Sequence, residues 1–132
     1  VQQQSKLHAL FAYGTLMDED IMHRVSGFHL KGETATIRGY RRYGIVDAAY
    51  PGIIVAEGQS VTGVVYRQVP KAAWKRLDDF EGGMYSRLPC ELREFPGIAV
   101  DVYVLRSAYH HLLAQHEWSF KEFLRLHKRA YL

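Results

Sequence analysis

Between Gly32 and Val69 the chain is an almost unbroken succession of strand-forming residues. Residues 33–37, 43–46, 53–56 and 61–69 are rich in β-branched and aromatic side chains, which pack well on a pleated surface and lose rotamer freedom in a helix. Gly39, Gly44, Pro51-Gly52 and Glu57-Gly58 fall between these runs, where turns or bulges belong. The pattern predicts four short strands with no helix among them. A doubly wound parallel sheet needs a crossover between successive strands, so that architecture is disfavoured.

The flanks supply single helices and further strands. Residues 7–13 form a short apolar run stopped by Gly14, the pattern of a buried strand. Ile21, Met22 and Val25 then recur at helical spacing after Asp18, with Ser26-Gly27 as the stop. Pro70 suits a first helical position. Ala73, Trp74, Leu77 and Phe80 make one apolar face, ended by Gly82-Gly83. Two more strands are predicted over residues 85–95 and 98–106, joined at Pro96-Gly97. In the second, Val100, Val102 and Val104 alternate with Asp101 and Tyr103. Ser119-Phe120-Lys121-Glu122 has capping-box spacing, and Phe120, Phe123, Leu124, His127 and Tyr131 form a helical stripe. The expectation is an α+β domain: a small, mixed, strongly curved sheet or barrel with flanking helices. One domain spans residues 1–132, with residues 1–6 as a flexible tail and 107–132 as a C-terminal helical extension.

Composition narrows the function. Lys and Arg number 17 against 14 Asp and Glu, a net charge of +3, and the basic residues are scattered. Arg41-Arg42 and Lys128-Arg129 are too short for the basic face that nucleic acid requires, so no nucleic-acid partner is expected. No apolar run reaches the roughly 18 residues of a membrane span, and no membrane association is expected. Residues 1–6 contain no apolar h-region, which fits a cytoplasmic chain. The one cysteine, Cys90, excludes an intramolecular disulfide and a Cys-rich zinc site. Within a strand it has no helix N-terminus to lower its pKa, so a nucleophilic role is disfavoured. Among the seven histidines, His110 and His111 diverge by about 100° on a helix, and no pair has His-x-x-x-His spacing. No phosphate-binding glycine loop is present. Neither a metal nor a cofactor is expected.

Two segments are candidates for chemistry. Tyr13-Gly14-Thr15-Leu16 joins the first strand to the first helix, and Gly14 permits backbone that a side chain would forbid. The following N–H groups then converge, a cradle for a carboxylate or a developing oxyanion. A tight turn with a packed tyrosine accounts for the same four residues. Asp78-Asp79-Phe80-Glu81-Gly82-Gly83 places three carboxylates at a helix end where the macrodipole favours cations. That field, with like-charged neighbours, raises a carboxyl pKa towards that of a general acid or base. Asp78 and Asp79 read as a solvated helix end. Glu81, flanked by Phe80 and Gly82, stands equally between the two readings. Tyr85-Ser86-Arg87 and Tyr50-Pro51-Gly52-Ile53 could close the same pocket, or serve only packing and turn formation.

Taken together, Tyr13-Gly14-Thr15-Leu16, Tyr50-Pro51-Gly52, Gly63-Val64-Val65-Tyr66, Leu77-Asp78-Asp79-Phe80-Glu81-Gly82 and Tyr85-Ser86-Arg87 resemble the γ-glutamylcyclotransferase-like family. The likeness covers residues 10–106 and is nearest the γ-glutamylamine and AIG2-like branch, because Leu16 stands where the dipeptide-specific enzymes usually carry Asn. The resemblance implies a small mixed barrel and cofactor-independent cyclisation of a γ-glutamyl group to 5-oxoproline, with release of an amine. It implies that Tyr13, Gly14, Thr15 and Leu16 hold the γ-glutamyl moiety, that Glu81 is the acid/base residue, and that Tyr85 lines the site. The implied partner is a small γ-glutamyl compound, and the implied assembly a monomer or homodimer. Residues 107–132 have no counterpart in the family's common core. A non-catalytic module binding γ-glutamyl groups, small carboxylates or a protein is the alternative. A histidine-based metal hydrolase is a weaker third.

Overall fold

The structure, a computed structural model, describes residues 8–132. The predicted tail over residues 1–6, and Leu7 of the first predicted strand, lie outside them. Five strands, β1 (His8–Ala12), β2 (Gly32–Gly44), β3 (Pro51–Val69), β4 (Tyr85–Leu92) and β5 (Phe95–Leu105), close into a barrel in the order β1-β3-β2-β4-β5. All neighbours are antiparallel except β1 and β5, whose parallel pairing closes the ring. The domain is therefore α+β with a mixed, strongly curved sheet.

The four short strands expected between Gly32 and Val69 are two long ones. β2 runs through Gly39, and the register shift between Arg38 and Tyr40 accommodates the extra residues of β3 opposite. The glycines at 39 and 58 mark bulged backbone within a hairpin instead of strand ends. Only residues 45–50 form its loop. The β4–β5 connection also differs. It lies at Arg93-Glu94, with Pro96-Gly97 inside β5. Glu94 accepts hydrogen bonds from the Thr36 N–H (2.7 Å) and hydroxyl (2.9 Å), which fixes the turn against β2.

Both faces of β1 and of the second half of β5 from Val100 are largely buried, which explains the apolar run over residues 9–13. Ala9, Phe11, Val100, Val102 and Val104 fill the barrel interior with Ile37, Ile53 and Val65. The alternate residues Leu10, Ala12, Tyr103 and Leu105 face outward. Against that outer face pack α1 (Glu19–Ser26), α2 (Trp74–Glu81) and α3 (Phe120–Leu126), through Ile21, Met22, Leu77 and Phe123. α1 is capped by Asp18, whose carboxylate accepts from the Ile21 N–H at 3.1 Å. α3 is capped by Ser119, which accepts from the Glu122 N–H at 3.2 Å. Of the predicted α3 stripe, Leu124 and His127 are exposed, and Phe120, Phe123 and Tyr131 carry the packing.

The C-terminal segment is stitched to the β2–β3 loop. Gly44 N–H donates to His116 O (3.0 Å), Val46 N–H to Leu112 O (2.8 Å) and Ala114 N–H to Gly44 O (2.8 Å). The Trp118 indole N–H donates to Ala49 O at 2.7 Å. These bonds hold the loop that delivers Tyr50 and Pro51 to one end of the barrel.

Candidate functional site

At that end is a cavity of about 170 Å³. β1 and the turn after it form one wall with Tyr13, Gly14, Thr15 and Leu16; the end of α2 and the start of β4 form another with Phe80, Glu81, Met84 and Tyr85. Tyr50 and Pro51 close a third side, and Tyr103 and Tyr131 complete the lining. The six residues to which the resemblance gives a role, Tyr13, Gly14, Thr15, Leu16, Glu81 and Tyr85, thus line one cavity. Its floor is buried: Tyr13, Thr15, Leu16, Tyr85 and Tyr103 are each at most 7% exposed. Its mouth is formed by the partly exposed Tyr50, Phe80, Met84 and Tyr131.

The turn after β1 is a single 3₁₀ turn, Thr15–Met17, directly ahead of α1. Met17 N–H donates to Gly14 O and Asp18 N–H to Thr15 O. The N–H groups of Thr15 and Leu16, at the start of the turn, find no acceptor among the described residues. They are two donors on residues that line the cavity. The space around Gly14 adds a reason to the one expected. Its φ of −129° and ψ of −134° fall outside the helical and extended regions, and a Cβ there would lie 2.8 Å from Pro51 Cδ and 2.9 Å from Cγ. The close approach of the β3 proline excludes a side chain.

Glu81 is the last residue of α2. Gly82 follows with φ +75°, a conformation that L side chains rarely adopt, and this turns the chain towards β4. Burial is the main cause that pushes the Glu81 carboxyl from 4.5 to about 8, and the neighbouring Asp78 adds to it. The helix end marks the perturbed acid in the sequence, but desolvation is the larger cause of the shift. Asp79 is the solvated acid expected, paired only with Lys75 at 2.9 Å. Asp78 is not. It accepts from the Tyr103 hydroxyl at 2.7 Å and pairs with Arg87 Nε at 3.1 Å.

The tyrosine hydroxyls of the floor are already committed as donors. Tyr13 donates to Tyr103 O (2.6 Å) and Tyr85 to Pro51 O (2.7 Å). Burial raises all three of the Tyr13, Tyr85 and Tyr103 phenols, keeping them neutral. With its proton committed, each oxygen has only acceptor capacity left, which suits an ammonium group. Outside the floor, the Tyr13 carbonyl accepts from Arg42 at 2.8 Å, which steadies the turn.

Arg87, considered from the sequence as a pocket residue, does not line the cavity. It pairs with Asp78 and, at 3.1 Å, with Asp101, and its guanidinium lies over Trp74, 4.4 Å from the ring centroid. Among the described residues no Lys, Arg or His lines the cavity, and no three His, Cys, Asp or Glu side chains cluster as metal ligands. Burial, and secondarily Asp101, pushes the Cys90 thiol up to about 12, against a thiolate role. The sequence reading missed Met84, Tyr103 and Tyr131 as cavity residues. Tyr103 carried a signal, being the aromatic on the outward face of an otherwise valine-alternating strand.

Comparison with known proteins decides the family. The model of the family described as gamma-glutamyl cyclotransferase, AIG2-like, matches residues 10–120. The chain belongs to the gamma-glutamyl cyclotransferase, AIG2-like family. AIG2-like protein A of Arabidopsis thaliana is similar to it at 30% identity over 131 residues, covering 96% of this chain and 78% of the relative. A solution structure of an Arabidopsis thaliana protein superposes with a TM-score of 0.73 at 28% identity, covering 98% of this chain and 88% of the other. A structure titled gamma-glutamyl cyclotransferase shares the fold with a TM-score of 0.65 at 20% identity, covering 76% of this chain and 68% of that one. The AIG2-like match includes residues 107–120, so that part of the C-terminal segment has a family counterpart that the sequence reading did not assign.

Proposed function

We propose that this member of the AIG2-like family cyclises a γ-glutamyl group to 5-oxoproline and releases an amine. One observation carries the reading: a part-buried carboxyl, Glu81, with its pKa pushed up to about 8, lines the same cavity as Thr15 and Leu16, whose N–H groups have no acceptor among the described residues. The substrate α-nitrogen attacks its own γ-carbonyl carbon, forming the ring C–N bond. The carbonyl oxygen gathers negative charge, which convergent N–H donors stabilise. The bond from the γ-carbon to the departing nitrogen then breaks. The α-nitrogen must shed a proton and the leaving nitrogen must gain one. Glu81 ionised takes the first proton and, protonated, delivers it to the second, so no water and no external acid is consumed. The acceptor oxygens of the floor tyrosines suit the α-amino group. The small enclosed volume suits a folded substrate, and that folding supplies much of the rate of an intramolecular attack.

The experiment is incubation of the whole chain with a panel of γ-glutamyl amines and dipeptides, following 5-oxoproline. Release that disappears in Glu81→Gln supports the reading. A chain that binds these compounds and releases nothing is the non-catalytic module.

A further inference from the structure

We propose that the mouth of the cavity is a seat for an apolar, ring-sized group on the departing amine, built by Phe80, Met84 and Tyr131. This rests on the proposed reaction and names the substrate class it serves. The floor is closed by buried side chains, so the glutamyl part that folds on itself occupies it. The departing amine must leave through the mouth, past the end of α2 that carries Glu81.

What lines that exit is apolar. Phe80 is 38% exposed although it is a large aromatic beside the cavity, and unburied apolar surface in a pocket marks the place of an apolar ligand group. Tyr131 stands edge-on to it, with ring centroids 6.3 Å apart at 68°. On its other side Tyr131 packs on the buried Phe123 ring at 5.3 Å and 72°. The turn before Tyr131 is tied to the start of α1, since Lys128 pairs with Asp18 (3.0 Å) and Asp20 (2.8 Å). Met84 is held by the Arg106 N–H, which donates to its carbonyl at 2.8 Å. The wall is thus preorganised, and its thioether and two rings suit a flat apolar group. The C-terminal turn Lys128–Tyr131 belongs to the site.

The probes are γ-glutamyl benzylamide and γ-glutamyl ethylamide. Their affinities for the whole chain are measured by calorimetry on the Glu81→Gln protein, and on the wild type if it leaves the amides intact. Rates of 5-oxoproline release are measured alongside. The benzylamide is expected to bind about tenfold more tightly, as partial burial of a ring implies. Phe80→Ala and Tyr131→Ala are each expected to cut that ratio below about threefold, and Tyr131→Phe to preserve it. Should Tyr131→Ala fail to fold, Phe80→Ala, at the more exposed position, carries the test. Equal binding of the two amides, or a ratio that survives both alanine variants, overturns the seat. No ring preference with Phe80 and Tyr131 both in place, while 5-oxoproline is still released, overturns the seat alone. Ring preference with no 5-oxoproline from either amide overturns the reaction and leaves the seat.

Discussion

The Tyr103 hydroxyl reaches from the barrel to donate a 2.7 Å hydrogen bond to Asp78. Asp78 is three residues from Glu81 on the same helix, and its charge adds to the burial that holds the Glu81 proton. Asp78→Asn removes that charge while keeping an acceptor for Tyr103. The rising limb of kcat/KM against pH, which reports Glu81 in the free enzyme, is then expected to move to lower pH. An unmoved limb would show that Asp78 has no hold on Glu81.

Glu81→Gln keeps the size and hydrogen-bonding capacity of the side chain but cannot carry a proton. Turnover is expected to fall by about 10²–10⁴-fold, the usual worth of a general acid or base, with the circular dichroism spectrum unchanged. Retained turnover would pass the role to Asp78 or to a water molecule.

The same variant tests the environment of Glu81 without any substrate. A carboxyl with its native pKa raised from 4.5 to about 8 binds its proton more tightly folded than unfolded. Its contribution to stability is complete below the unfolded value and is lost as pH climbs through the native one. Glutamine does not titrate. The Tm of Glu81→Gln is therefore expected to gain on that of the wild type between about pH 5 and pH 8. A constant difference across that range would place the carboxyl in water.

The barrel was legible because residues 32–69 offer no helix-forming stretch and β5 alternates with period two. The joins were less so. Gly39 and Pro96-Gly97 look like ends in a sequence, yet a bulge uses the same residues as a turn, and only tertiary pairing tells them apart. Thr36 binding Glu94, which fixes the real β4–β5 turn, joins residues 58 positions apart and leaves no local signature. The site divides in the same way. The Tyr13-Gly14-Thr15-Leu16 turn and the Glu81 helix end announce themselves through glycines and misplaced charge. Met84, Tyr103 and Tyr131 are ordinary apolar or aromatic positions that become cavity wall only when the barrel closes and the C-terminal turn folds over it.

Gly14→Ala probes the contact between the turn and Pro51. The added methyl would meet Pro51 Cδ at 2.8 Å. Pro51 cannot easily retreat, because it pairs with Gly44 and its carbonyl accepts from Tyr85. Overpacking of this kind costs about 1–3 kcal/mol, to be read from the urea midpoint at constant m-value. A midpoint unchanged from the wild type would show that the turn moves freely against β3.

Charge on the departing group bears on which substrates are used. A guanidinium facing the cavity would welcome a carboxylate there, and Arg87 is the arginine nearest the cavity residue Tyr85 in sequence. In the structure it is neutralised by Asp78 and Asp101 and stacked on Trp74, outside the cavity. Leu16 presents an apolar side chain to the cavity, and Glu81 is the one carboxyl among the lining residues. A free amino acid as leaving group therefore brings a second carboxylate into a space with no cation among the described residues. Leaving such a charge without a partner is an effective means of rejection. γ-Glutamylglycine and γ-glutamylglycinamide differ in little but that charge. The glycinamide compound is expected to have the higher kcat/KM by about tenfold or more, roughly 1.4 kcal/mol of discrimination. Equal use of the two would mean that a cation does reach the leaving group. Arg87→Met would then identify it, since only a guanidinium that leaves Trp74 for the substrate would make the glycine compound suffer selectively.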